Sequence, residues 1–471
     1  YSSDITGTTY QPSEIVLQCK KVFKNIIAYD KFDFDGKKES MYALRPAFDT
    51  VADMIGKGKK VPESLLEIFA QNPEYSAKLD SLINAKDKVP FKIFDKKNAE
   101  MLFGKNLNIS ASQLEKFNLC RFSYFCNYGL NVRERQKAEI NPMQYGTIVH
   151  YILERFFGEY TKEEYLSLEE DKFQKIVCAY LAEYAVKYFG EEQLESNSFT
   201  YRLKTILDNV MYLMKHIMEE LSQSEFFVAD CELKIGEDIP SYTIVLPDGH
   251  KIAVCGSVDR VDIMQRADIT YLRIIDYKTG TKQFKLSDIL YGINLQMLLY
   301  LHSIEASGGD KYGEIVPAGI LYMPATVPYI SSDSLKSIDK LPDELNKKLK
   351  MNGLLLKDTE IIHGMDKTDA ATYIPVKIKA GEPVSSTSLA TLAEFGKIFK
   401  KVDMLIAEMG KNIYNGNIEA KPLKGGHDSC EYCPYDSVCA YRQSNPITCF
   451  SVDNKTVIEE ITNEINGKEE E

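Results

Sequence analysis

Two short apolar-flanked segments each deliver an acid, Val258-Asp259-Arg260-Val261-Asp262 and Ile274-Ile275-Asp276-Tyr277-Lys278, and the second adds a lysine two residues after its acid. In a strand, residues two apart share a face. Asp276 and Lys278 therefore fall together, with Ile275 and Tyr277 on the opposite side. Carboxylates and an ammonium side by side at a sheet surface suit metal-assisted phosphodiester hydrolysis: the acids hold a divalent cation, and the lysine orients or activates the attacking water. The same fragment, taken alone, also describes a half-buried strand with a structural ion pair. Arg260 and Asp262 alternate with Asp259, so they face away from it and read as a structural pair.

A second chemical signal lies near the C-terminus. Cys430, Cys433 and Cys439 form a C-x2-C-x5-C run with Pro434 inside it. Three thiolates at that spacing can wrap one metal centre but need a fourth ligand. The candidate is Cys120, far upstream. By spacing alone the triplet fits zinc and iron–sulfur equally well. The chain has ten cysteines and no secretory pattern, so a reducing compartment and metal binding are expected rather than a disulfide framework. Cys19, Cys126, Cys178, Cys231, Cys255 and Cys449 read as core or neutral positions, Cys126 with the least support.

These residues need elements to hold them. Residues 1–107 read as helical, with helix-like apolar spacing over Pro12–Tyr29 and Met41–Ile55. Asp33-Phe34-Asp35-Gly36 reads as a turn, since calcium-loop ligands are missing at Lys31 and Tyr42. Ser110 or Ser112 caps the next helix, and Gly146-Thr147-Ile148-Val149-His150 opens another with the apolar stripe Val149, Leu153, Phe156 and Phe157. Helical patterns continue to about Ser224. Tyr242–Leu246 and Lys251–Cys255 then flank a hairpin turn, Pro247-Asp248-Gly249-His250. Gly256–Ile263 is expected to prolong the second strand, and Tyr271–Tyr277 to add a third. A helix over Asp288–His302, a strand at Ala318–Met323 and a helix over Leu392–Tyr414 complete an α/β core. Residues 324–390 carry no clear pattern.

Length and composition bound the rest. A chain of 471 residues makes one large or two to three smaller units, and no apolar run approaches the length of a membrane span. The first residue is Tyr1, which reads as a piece cut from something longer. The net charge of −12 argues against a protein coated in nucleic acid, although a local footprint remains compatible with it. Part of that charge sits in a tail holding Glu459, Glu460, Glu464, Glu469, Glu470 and Glu471, expected to be solvated and partly frayed. A basic and aromatic stretch surrounds Cys120: Lys116, Arg121, Arg133, Arg135 and Lys137 among Phe117, Phe122, Tyr124 and Tyr128. Its rings read as packing, and its arginines as phosphate contacts or a solvated face.

Several motifs stand in one order: Cys120-Arg121-Phe122-Ser123-Tyr124-Phe125 with Tyr128-Gly129-Leu130, then Gly146 to His150, Gly256 to Asp262, Asp276-Tyr277-Lys278-Thr279-Gly280, Gln296 to Tyr300, and the cysteine triplet. The ordered set, over about residues 106 to 445, resembles the nuclease domain of the AddB subunits of bacterial AddAB helicase–nucleases, in the RecB-like branch of the PD-(D/E)XK nucleases. The resemblance implies a restriction-endonuclease-like core, a mixed sheet flanked by helices with many helical elaborations. It divides the chain into a helical segment at 1–107 left from a preceding helicase-like region, a nuclease domain at 108–445 and an acidic tail at 446–471. It implies a [4Fe–4S] cluster on Cys120, Cys430, Cys433 and Cys439 acting as a structural staple. It also implies Mg²⁺ or Mn²⁺ held by His150, Asp259, Asp276 and the Tyr277 carbonyl, with Asp259, Asp276 and Lys278 catalytic. Gln296 and Tyr300, on one helix face, are expected to hold the lysine or a DNA phosphate, and Arg121, Arg133 and Arg135 to contact DNA.

The expected activity is exonucleolytic trimming of single-stranded DNA ends at double-strand breaks, on the 5′-ended strand, in the bacterial cytoplasm beside an AddA-type subunit. No G-x-x-x-x-G-K-[ST] pattern is present, so unwinding must come from elsewhere. Two other readings stay open at this point: a standalone RecB-like nuclease of the kind serving CRISPR adaptation, and a non-catalytic iron–sulfur scaffold that binds DNA.

Overall fold

The structure is a computed structural model that describes residues 14–23, 43–56, 59–84, 92–133, 142–190, 196–280, 283–327, 341–368, 371–385, 387–439, 441 and 446–469. It divides into two compact units, Tyr1–Pro90 and Phe91–Glu471. The first unit is helical, as the apolar spacing predicts: α1 (Glu14–Val22), α2 (Leu44–Gly56), α3 (Glu63–Gln71) and α4 (Ser76–Asn84). Phe48 and Val51 of α2, one turn apart, meet Phe69 and Leu79 in a small core of their own. Asp33-Phe34-Asp35-Gly36 lies outside the described residues.

In the second unit, α5 (Lys96–Phe103), β1 (Asn106–Ile109) and α6 (Ala111–Leu119) come first. The unit thus begins upstream of the expected boundary at 107. The Ile93 N–H donates to the Gly416 carbonyl at 2.8 Å and the Tyr414 hydroxyl to the Gly104 carbonyl at 3.2 Å, which ties this stretch to the unit, and β1 adds in parallel to β4 (Lys251–Val254), which is also antiparallel to β3 (Thr243–Val245). Ser110 caps α6 in a reciprocal capping box with Gln113. Three long helices follow, α7 (Pro142–Glu159), α8 (Glu170–Phe189) and α9 (Asn197–Gln223). Val149, Leu153 and Phe156 of α7 are buried as the stripe predicts.

The main sheet has six strands in the order β11-β8-β7-β6-β5-β2, with β2 (Phe227–Ile235), β5 (Gly256–Arg266), β6 (Ile269–Lys278), β7 (Glu314–Pro324), β8 (Asn352–Leu356) and β11 (Leu389–Ala390). The short hairpin β9 (Lys377–Lys379) and β10 (Glu382–Val384) stands apart from it. β6 and β7 run parallel, while β2, β5 and β6 form an antiparallel meander. The sequence expectation that Gly256–Ile263 prolongs the preceding strand is corrected: the chain breaks at Cys255, and β4 and β5 belong to different sheets. Gly256 permits the switch, since a Cβ there would lie 2.2 Å from the Tyr300 hydroxyl. The predicted helix at Asp288–His302 is likewise two pieces, a 3-10 turn at Leu286–Tyr291 and α10 (Gln296–Ser307), because Gly292 and Asn294 take left-handed backbone between them.

α11 (Leu392–Tyr414) matches its predicted span and is capped by Thr391 with Glu394. Within the described residues, the acidic end is ordered as far as Glu469. β13 (Ile447–Cys449) pairs with β12 (Leu423–Gly425), and α12 (Asn454–Glu469) buries Val457 and Ile461, four apart, while Glu464 binds the buried Lys401. No helix among the described residues is long and apolar enough to cross a membrane.

Under β5 and β6 lies a dry ionic network. Arg260 Nε and Nη2 donate to the two oxygens of Asp262, each at 2.6 Å, and Arg273 Nη2 donates to Glu220 of α9 at 2.6 Å. Arg260 Nη2 also reaches Glu220 at 3.1 Å, and all four side chains are 0% exposed. Burial opposes the charge on Asp262, but Arg260 and Arg273 outweigh it and hold its pKa below the ordinary range. Removing one member strands the others without solvent. Asp262→Ala is therefore expected to cost about 3–5 kcal/mol, read as a lower denaturation midpoint; a loss within about 0.5 kcal/mol would mean the network is not what holds these strands.

Candidate active site

Strand alternation places Asp259 of β5 and the Asp276–Lys278 pair of β6 away from this network. The Lys278 ammonium lies 2.6 Å from Asp276 Oδ2, and Asp276 is only 2% exposed. The Tyr277 peptide nitrogen donates to Asp259 Oδ2 at 2.9 Å, which sets that peptide beside the carboxylate expected to share its metal. From α7, His150 turns its Nε2 to within 3.6 Å of Asp259 Oδ2. Its Nδ1 is 2.8 Å from Glu232 Oε1, and Ser257 Oγ donates to the other Glu232 oxygen at 2.8 Å.

Glu232 is the residue sequence reading missed. It sits on β2 with no motif around it, and it reaches the site through a left-handed backbone (φ 51°) that a non-glycine residue rarely adopts inside a strand. Next to it, pairing passes from Cys231↔Arg260 to Leu233↔Val258. The sequence offers no signal that singles it out, since the same strand also carries Asp230 and Lys234. His150, Glu232 and Asp259 form a group whose ligand atoms lie within 4.8 Å of one another, room for one cation.

The electrostatics are those of a site short of positive charge. Burial, then the neighbouring Asp276 carboxylate, pushes Asp259 up to about 7. Burial opposes the His150 imidazolium, yet the Glu232 hydrogen bond and the charges of Asp259 and Asp276 raise its pKa above the ordinary value. Proton affinity is thus raised where a cation fits, and hard oxygen donors with one imidazole suit a divalent cation such as Mg²⁺ or Mn²⁺.

Gln296 and Tyr300 open α10 and lie one turn apart. Tyr300 is buried over Gly256, where burial above all, with Asp259 and Asp276 nearby, pushes its hydroxyl up to about 12. That buried position, 5% exposed, places its ring against the start of β5 rather than in reach of a phosphate. Arg121 is paired with Glu408 at 3.4 Å and stacks 5.6 Å from the Phe117 ring, so it is engaged within the fold. Arg133 is exposed, and Arg135 lies outside the described residues.

The four cysteines do converge. Cys120, Cys430, Cys433 and Cys439 line one cavity of about 140 Å³, with Phe122 and Tyr441. Cys126 packs beside them, which makes it part of the cysteine shell rather than a scattered core residue. Among the described residues no three of these sulfurs fall within 4.8 Å of one another. A tetrahedral zinc site, with Zn–S near 2.3 Å, needs sulfurs about 3.8 Å apart. Burial pushes the Cys120 thiol up, while the backbone N–H groups of Ser123 and Phe122 point at its sulfur and partly offset that.

The Asp259 shift has a signed consequence. Its proton affinity rises on folding, so its contribution to stability is fullest in acid and is lost as pH climbs through about 7. In chelator, the stabilising effect of Asp259→Asn is expected to grow between about pH 5 and pH 8 by on the order of 2 kcal/mol, and added divalent cation should stabilise the parent protein alone. Denaturation midpoints at both pH values check this; a pH-independent difference would contradict the crowding of the acids.

Known proteins share this geometry's sequence. The PD-(D/E)XK nuclease superfamily matches residues 108–440 of the chain. The chain is 31% identical over 470 residues to a subunit of the ATP-dependent helicase/deoxyribonuclease of Clostridium acetobutylicum, covering 93% of this chain and 40% of that protein. The subunit of the same name from Clostridium kluyveri is 31% identical over 498 residues, covering 100% of this chain and 43% of its own length. That from Ruminiclostridium cellulolyticum is 32% identical, covering 95% and 41%. The chain thus spans about two fifths of the length of these relatives. Taken with the acids and lysine gathered on β5 and β6, the match over 108–440 means that the chain belongs to the PD-(D/E)XK nuclease superfamily.

Proposed function

We propose that this chain is the DNA-cutting part of a helicase–nuclease subunit: a Mg²⁺-dependent deoxyribonuclease that trims single-stranded DNA ends, on the 5′-ended strand, during double-strand break processing. The observation that carries the reading is the meeting of Asp259, Asp276 and Lys278 with His150 and Glu232 at one point of the sheet. The name of the relatives supports the substrate and the pairing of nuclease with ATP-driven unwinding. Since the chain has no Walker A pattern, the motor activity belongs to an AddA-type partner or to further chain, and the bacterial cytoplasm is the place of action. In this reading the second unit is the nuclease domain, starting upstream of the expected 108 and taking in the segment after 446, and the helical first unit is the lead-in from a helicase-like region.

A bound divalent cation supplies Lewis acidity at the scissile phosphate. His150, Asp259, Asp276 and the Tyr277 carbonyl would hold it, with Glu232, whose ligand atom lies within 4.8 Å of those of His150 and Asp259, beside them. Lys278, partly in solvent beside Asp276, would orient the attacking water and steady charge developing on the phosphate. Arg133 and Arg135 follow the strand's phosphates, with Arg121 at the edge of that path. The direct test is degradation of end-labelled single-stranded DNA with Mg²⁺, beside an Asp276→Ala protein. We expect a rate loss of about 10³-fold or more; cutting that survives the substitution means a different site, and no cutting by the parent chain leaves a DNA-binding scaffold.

We further assign the cysteine cavity to a [4Fe–4S] cluster on Cys120, Cys430, Cys433 and Cys439, with a structural role. Four thiols converging on one cavity, together with the ordered motifs that resemble the AddB-type nuclease domains, support the assignment. Protein prepared with iron and sulfide should be brown and should lose several degrees of Tm when the iron is stripped. A colourless protein with one tightly held zinc, or an unchanged Tm, refutes the assignment.

A further inference from the structure

α10 begins without a cap of its own. Its N-cap residue is Leu295, which has no side-chain acceptor, yet the first turn of a helix leaves N–H groups to satisfy. A different helix supplies the acceptor. Glu115, in the middle of α6, accepts from the Leu295 nitrogen at 2.8 Å and from the Gln296 nitrogen at 3.3 Å. A carboxylate there also meets the positive end of the α10 dipole.

The same short helix grips the segment at two further points. At its start the Ala111 N–H points at the Tyr300 oxygen. At its end Asn118 Nδ2 donates to the Gly292 carbonyl at 3.0 Å. Gly292 takes a left-handed φ of +68°, and a Cβ there would lie 2.2 Å from that same Nδ2. One turn of α6 after another thus fixes 292, 295–296 and 300. The residue that ends α6 is Cys120, which belongs to the cysteine cavity. Leu119 packs with Ile293, Leu423 and Cys449, so the cysteine-bearing segment leans on the same strut.

What α6 holds is next to the acids. Tyr300 fills the space over Gly256, two residues before Val258 and three before Asp259 on β5. A slip of α10 therefore pushes the Tyr300 ring into the start of the strand that carries Asp259. We propose that Glu115 is a positioning residue of the nuclease site, and that α6 couples the state of the cysteine cavity to the placement of α10. This rests on the nuclease reading for its catalytic consequence. Its structural core, the cap on Leu295 and Gln296, does not.

The test uses the whole chain with Glu115→Ala and Glu115→Gln. Glutamine keeps a carbonyl acceptor and alanine keeps none. In Glu115→Ala, amide exchange over 292–300 should speed up by about tenfold, the loss of one charge-assisted hydrogen bond. Single-turnover cutting at saturating DNA should fall by about tenfold or more, with the DNA Kd within about twofold. Glu115→Gln should restore most of both. Parent-like exchange in the alanine protein overturns the proposal, as does a glutamine protein as impaired as the alanine one. If the parent chain does not cut, the nuclease reading fails, and the positioning claim is decided by the exchange alone. Coupling is read by adding Cys430→Ala. That change should speed exchange over 292–300 in the parent and add little on top of Glu115→Ala; fully additive effects would overturn the coupling.

Discussion

The alternation of β5 is the constraint on which the site depends. One face of Val258–Asp262 delivers Asp259 to the reacting side, and the other delivers Arg260 and Asp262 to a dry network with Arg273 and Glu220. A one-residue slip of register would exchange the two sets, putting an unpaired carboxylate in the core and two guanidinium-linked partners in solvent. The cost of that exchange is large because all four network groups have no access to water. The network thus works as a register lock for the strand pair that carries the acids. α7 joins the same lock, since Phe157 lies 5.9 Å from the Arg260 guanidinium while His150, on the same helix, reaches Asp259.

Held in register, the acids crowd. Burial, then Asp276, raises the cost of ionising Asp259, and the Glu232 hydrogen bond with the charge of Asp259 raises the proton affinity of His150 against its own burial. Without a cation, ionising the buried Asp259 is costly, and the pairing of β5 with strands on both sides holds it in place. That is the expected balance for a site built to bind metal, where stability at rest is given up for affinity.

The legible parts of the chain were those where chemistry and period coincide. Asp259, Asp276 and Lys278 announce themselves because a two-residue repeat fixes their faces before any partner is known. The α11 span and the hairpin at Pro247–His250 were legible because capping and turn residues act locally. Glu232 was not, since its arrival depends on a left-handed residue that no local signal requires. The break at Cys255 was hidden for a similar reason: Gly256 answers to Tyr300, a residue on another element. The tail misled because its glutamates outnumber Val457 and Ile461, which nevertheless sit four apart and find a buried face. Composition described the solvent side and missed the stripe.

The long-range tie through the cysteines bears on how these pieces come together. Cys120 precedes the strands of the site in the chain and Cys430 follows them, so the cavity closes a loop that contains β2 to β8 and α10. Closing a loop costs entropy that grows slowly with its length, and a group bridging the two ends takes that freedom from the unfolded chain as well. The bridge is placed at the end of α6, the helix whose other residues hold the start of α10. On the coupling proposed above, a group held in the cavity would order more than the cysteine loop itself: it would steady the last turn of α6, through α6 the first turn of α10, and through Tyr300 the origin of β5. The two sites share no residue, yet the contacts of α6 with the start of α10 lie between them.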